Sequence, residues 1–138
     1  WALYSEQLAL EAGLATDPYD EIGILQSELF RAVRLVVDTG IHYKKWTREE
    51  AMNYMKEKTG MSDTEVRSEI ERYIVWPAQA LSYKVGMLKV LELRQLAMDA
   101  LGNDFDYKEF HSILLDNGEP PLFILEKLVK NWIALKQS

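Results

Sequence analysis

Four charged or titratable side chains recur at helical spacing inside an apolar stretch, and no other feature restricts the fold of this chain as much. In Glu28-Leu-Phe-Arg31-Ala-Val-Arg34-Leu-Val-Val-Asp38-Thr-Gly-Ile-His42 the apolar residues Phe30, Val33, Leu35, Val36, Val37 and Ile41 point in most directions. A helix that is apolar nearly all round belongs inside a larger body. Yet Arg31, Arg34, Asp38 and His42 follow one another at steps of three, four and four, which places them on one stripe. Charges are costly to bury unless they are paired or used. The stripe therefore reads in one of two ways. Either it is one wall of a polar cleft, with Arg34 or His42 aimed at a ligand, or Arg34 and Asp38 form an ion pair within the helix and His42 lies near the surface.

The punctuation around this stretch is helical throughout. Residues 1–12 read as the end of a helix stopped by Gly13. Asp17-Pro18 supplies an N-cap and a first-turn proline for a long helix to about Lys44, which Gly23 and Gly40 weaken without breaking. Thr47-Arg-Glu-Glu50 and Ser62-Asp-Thr-Glu65 are capping boxes, opening helices that end at Gly60 and about Val75. Trp76-Pro77 forces a boundary, and Pro77 starts a second long helix to about Leu101. Asp106 caps a further helix that stops near Asn117-Gly118, and Glu119-Pro120-Pro121 links it rigidly to a last one over 122–136. On the last helix Leu125, Leu128, Val129 and Trp132 share a face. No segment alternates with period two long enough to make a strand. The expectation is an all-α fold of about seven helices in a single domain over residues 1–138, with the two long helices at its centre.

Composition narrows the function. The net charge is −6 and no basic block is present to track a phosphate backbone, so nucleic-acid binding is not expected. There is no cysteine, hence no disulfide or thiolate chemistry. No apolar run reaches the length of a transmembrane span, and no signal peptide or lipidation motif is visible. Trp1 opens in mid-pattern without a cap, which reads as the start of a fragment whose upstream part is missing.

The chemistry-bearing residues are few. Gln79 and Tyr83 are four apart, with Gly86 three further on. A phenol and an amide over a glycine gap can donate hydrogen bonds to a substrate oxygen. Equally, Tyr83 can be a core aromatic with a satisfied hydroxyl, and Gly86 a site of close helix crossing. Tyr73 reads as a packing residue, Glu6 as a solvated glutamate, and His111 as facing solvent. With two histidines on separate helices, no thiol and no His-Glu-x-x-His, the chain holds no complete metal site. Nor does it carry a phosphate loop or a serine elbow.

Four stretches carry a resemblance. They are Trp1-Ala-Leu-Tyr-Ser-Glu6, Arg34-Leu-Val-Val-Asp-Thr-Gly-Ile-His42, Arg72-Tyr-Ile-Val-Trp-Pro-Ala-Gln-Ala-Leu-Ser-Tyr-Lys-Val-Gly86, and Phe110-His-Ser-Ile-Leu-Leu-Asp-Asn-Gly118 with the following Pro-Pro-Leu. In this order they resemble the bacterial domain-of-unknown-function 885 family along nearly the whole chain. The resemblance implies a helical zinc metallopeptidase of the gluzincin type, in many members an exported lipoprotein, periplasmic or membrane-anchored. It places the zinc ligands, including His-Glu-x-x-His and a glutamate just before Trp1, upstream in the parent. No metal is then expected in the fragment, which should be inactive alone. In that setting Tyr83 is the first candidate for oxyanion donor and His42 the second. Arg34 would hold a peptide carboxylate, Asp38 would orient Arg34 or His42, and Gln79 would touch the substrate backbone. The alternative is a non-catalytic helical interaction or scaffold module. Either way, apolar surface left exposed on the fragment is expected to allow dimerisation.

Overall fold

The computed structural model describes all residues, Trp1–Ser138, and contains seven α-helices and no strand. They are α1 (Ala2–Glu11), α2 (Pro18–His42), α3 (Arg48–Thr59), α4 (Asp63–Val75), α5 (Ser82–Leu101), α6 (Tyr107–Leu115) and α7 (Leu122–Lys136), with 3₁₀ turns at Gln79–Leu81 and Gly102–Asp104. No helix is long and apolar enough to cross a membrane. The two longest are α2, with 25 residues, and α5, with 20. The fold is all-α, as the caps and periodicity require.

The starts follow from local chemistry. The Asp17 carboxylate accepts from the Tyr19 N–H at 2.8 Å, ahead of Pro18. Thr47 with Glu50, and Ser62 with Glu65, each form both halves of a capping box. These bonds satisfy N–H groups that the first helical turn leaves without partners. At the far end of α3, Gly60 takes φ 67°, a left-handed stop that suits glycine.

One boundary differs from the sequence reading. The helix assigned to begin at Pro77 begins at Ser82. Trp76 is extended at φ −133°, ψ 72°, and Ala78 is left-handed at φ 68°, so the chain cannot be helical until it has passed both. Gln79 therefore lies in a 3₁₀ turn ahead of α5, whereas Tyr83 lies in its first turn.

The chain divides into two compact units, Trp1–Val85 and Gly86–Ser138. In the first, α2, α3, α4 and the 3₁₀ turn at 79–81 enclose a core of Val33, Val37, Ala51, Met55, Val66, Ile70, Tyr73 and Ala80. The helix α1 packs on the first half of α2. The helix α2 is not buried all round: Ile22, Leu25, Leu29 and Val36 stay exposed on it. Lys84 joins the start of α5 to α2 through Glu28 at 2.5 Å.

In the second unit α6 packs on α7. Phe110, Leu125, Val129 and Ile133 are buried, and Phe105 and Trp132 stack about Phe110. Glu109 accepts from the Trp132 indole at 3.0 Å and pairs with Lys136. His111 does not face open solvent. It is half-buried between the rings of Tyr107 and Phe110, and burial lowers its pKa, with the Arg94 charge adding to the effect.

Candidate functional site

The polar stripe of α2 faces the C-terminal half of α4 and the turn after it. Arg34 is 2 % exposed and Asp38 3 %, the only charged residues sealed to this degree. Arg34 donates from Nη2 to the Gln79 Oε1 at 3.1 Å, and Arg72 donates from Nη1 to the same oxygen at 2.9 Å. The other end of Arg72 binds Glu69 at 2.5 Å, and the Tyr73 hydroxyl donates to that carboxylate, also at 2.5 Å. One amide oxygen thus serves two guanidinium groups, and one carboxylate oxygen serves a guanidinium and a phenol.

Rings complete the cage. The Arg34 guanidinium lies 5.4 Å from the ring centres of Tyr73 and Tyr83 and 5.7 Å from that of Phe30. Such faces attract a cation. Burial lowers the Arg34 pKa; the Tyr73 hydroxyl opposes that, and the charges of Arg31 and Arg72 reinforce it. The Tyr73 hydroxyl is held well above its ordinary pKa by burial, then by its bond to Glu69. For Glu69, burial alone would raise the pKa, but the bonds from Tyr73 and Arg72 win and hold it low.

Arg34 and Asp38 do not pair. Both Asp38 carboxylate oxygens instead accept the Ala78 N–H, at 3.1 and 3.3 Å. The order of the two residues explains part of this. A cation four residues before an anion on a helix is the weaker arrangement of the pair, and Gln79 with three rings offers Arg34 more. Nor does Asp38 bond to His42. The His42 Nε2–H donates to the Tyr73 carbonyl at 2.9 Å, across to α4.

The structure therefore gathers Arg34, Gln79 and Tyr83 in one cluster and sets Asp38 and His42 at its flanks, holding Ala78 and Tyr73. Tyr83 is 40 % exposed, and its hydroxyl is bonded to no protein atom, so it is not a satisfied core tyrosine. Gly86 has nothing within 4 Å of where a Cβ would stand, so no helix crosses there. Sequence reasoning passed over Glu69 and Arg72. Their spacing of three, with Tyr73 one further on, was a legible signal for a shared face of α4. Tyr73 packs in the core as expected, 1 % exposed, while its hydroxyl also joins the network.

Glu6 lies elsewhere in the same unit. Its Oε2 is buried with no hydrogen-bond partner and borders an open hollow of about 520 Å³ between α1 and α2, with Tyr19, Asp20 and Ser27. It is not a solvated surface glutamate.

Because Asp38 holds a backbone N–H and not an arginine, Asp38→Ala has a modest expected effect. Breaking a buried ion pair costs about 3–5 kcal/mol. Here the loss is one part-buried bond from a backbone N–H to a carboxylate, and the expected cost is about 1.5–3 kcal/mol. Urea denaturation of the variant separates the two values.

The family model of bacterial proteins of unknown function designated DUF885 matches residues 1–129. The chain belongs to the DUF885 family. Among solved structures, this DUF885 chain is similar to a protein of Colwellia psychrerythraea described as a lipoprotein, with a TM-score of 0.96 and 55 % identity. The match covers 99 % of this chain and 23 % of that one, so the DUF885 chain spans about a quarter of its solved relative. No curated protein is measurably similar to it.

Proposed function

We propose that this chain is the C-terminal helical part of a zinc-dependent metallopeptidase and supplies one wall of its substrate cleft. The observation that carries the reading is Tyr83: an exposed phenol whose hydroxyl meets no protein acceptor or donor, standing over a buried arginine that is held by Gln79. Peptide-bond cleavage develops negative charge on the carbonyl oxygen, and a fixed hydroxyl donor beside a cation stabilises that charge. Tyr83 is the donor. Arg34, too enclosed to reach a ligand, fixes Gln79 and lends its charge. The Gln79 side-chain nitrogen donates to no protein atom and faces the substrate backbone. His42 has its Nε2 committed to Tyr73, which leaves only Nδ1 for a supporting role.

No three His, Asp or Glu residues of the chain converge in a way that would hold a metal ion. In this reading zinc is bound by upstream residues of the parent, and the roles above belong to the chain's own side chains. The likeness to a protein described as a lipoprotein supports an exported, periplasmic or membrane-anchored parent.

A second reading, a non-catalytic interaction or scaffold module, is favoured by the exposed apolar row Ile22, Leu25 and Leu29 on α2, through which the fragment can dimerise. One assay on the full-length protein divides the two. Peptide hydrolysis that disappears on chelation and returns with zinc supports the peptidase. A zinc-loaded protein that cuts no member of a mixed peptide library leaves the module reading in its place.

A further inference from the structure

Arg31 is the member of the α2 stripe to which the peptidase reading gives no task. Its guanidinium lies 4.6 Å from the Tyr83 ring centre and 5.0 Å from that of Phe30, the same two rings that Arg34 uses one turn later. Arg34 is enclosed and bonded to Gln79. Arg31 is only partly buried, and no protein acceptor or carboxylate meets it. Its Nε is buried and unpartnered, as is that of Arg34. The carboxylates nearby are already engaged: Glu28 by Lys84 at 2.5 Å, and Glu69 by Arg72 and Tyr73.

Two like charges on one aromatic platform, with no anion facing the outer one, repel each other until an anion arrives. A guanidinium laid against rings is held in place with its planar fork edge free, and that edge matches a carboxylate through two parallel bonds.

We propose that Arg31, seated on the Tyr83 and Phe30 rings with Arg34 behind it, is the recognition site for a carboxylate of a peptide ligand. The proposal rests on the reading that this cluster faces substrate, though not on any bond being cut. The carboxylate is either the free C-terminus or an acidic side chain.

The test follows the Arg31 Nε–Hε resonance of the isotopically labelled chain by NMR. Three probes are titrated: acetyl-Gly-Gly as the free acid, the same peptide as its amide, and acetyl-Glu amide, whose only carboxylate is in its side chain. A shift with the acid and not the amide supports a C-terminal carboxylate. A shift with acetyl-Glu amide supports an acidic side chain. Arg31→Gln, read through the neighbouring Tyr83 ring resonances, is expected to weaken binding by about tenfold or more, with only partial rescue in Arg31→Lys. Equal response to acid and amide, silence at millimolar concentrations of all three, or undiminished affinity in Arg31→Gln overturns the proposal. A carboxylate-dependent shift in a family whose full-length protein cuts no peptide retires the peptidase and leaves this site standing.

Discussion

On the proposed peptidase reading, Tyr83→Phe in the full-length protein is expected to lower kcat by about a hundredfold or more, the cost of one lost oxyanion donor, with KM nearly unchanged. The substitution removes a single oxygen. The ring remains, and so does the platform under Arg31 at 4.6 Å and Arg34 at 5.4 Å. The hydroxyl makes no bond within the protein, so its removal breaks none and the fold should keep its denaturation midpoint. The whole loss should then fall on the step in which charge develops, at about 2.7 kcal/mol of barrier. Steady-state kinetics checks this, and turnover at the wild-type rate would take Tyr83 out of the mechanism. Arg31→Gln should show the opposite split, with KM raised and kcat little changed.

Gly40→Ala is expected to destabilise the chain by about 2–3 kcal/mol, against the usual preference of helices for alanine. Gly40 is buried in α2, and a Cβ there would stand 2.3 Å from the Trp46 indole. That ring cannot easily withdraw. Its own backbone N–H is bonded to the Gly40 carbonyl at 2.9 Å, and its other side leans on Tyr54 at 5.4 Å. Gly86→Ala is the matched control. It too lies within a helix, but nothing stands within 4 Å, so the gain of about 0.5–1 kcal/mol from helix propensity should appear undiminished. Paired urea midpoints that move in the same direction would show that Trp46 does not seat on Gly40.

The sequence made the helices legible because their ends are written locally. Thr47, Ser62 and Asp106 each bond within three residues of themselves, so spacing alone reveals them. The start of α5 was illegible for the opposite reason. A proline opening a helix and a proline preceding a left-handed residue look alike, and the partner taken by the left-handed residue, Asp38, lies forty residues away. The same limit applies to the site. Arg34, Asp38 and His42 could be placed on one stripe, but not their partners. Gln79, Ala78 and Tyr73 reach them across separations of 45, 40 and 31 residues. Composition gave no hint that Arg31 would lack an anion, because residues 1–38 hold more acidic than basic side chains and those acids face other partners or other surfaces.

Ala78 also ties two distant positions into one heritable unit. A left-handed backbone costs a residue with a Cβ about 1–2 kcal/mol, and here the carboxylate of Asp38 accepts from its N–H. A lineage that loses the acid at position 38 keeps the turn more easily with glycine at 78, and a lineage with glycine there is free to lose the acid. Drift at the two sites should run in step among family members, although the link passes through a main-chain N–H and no side chain of Ala78 takes part.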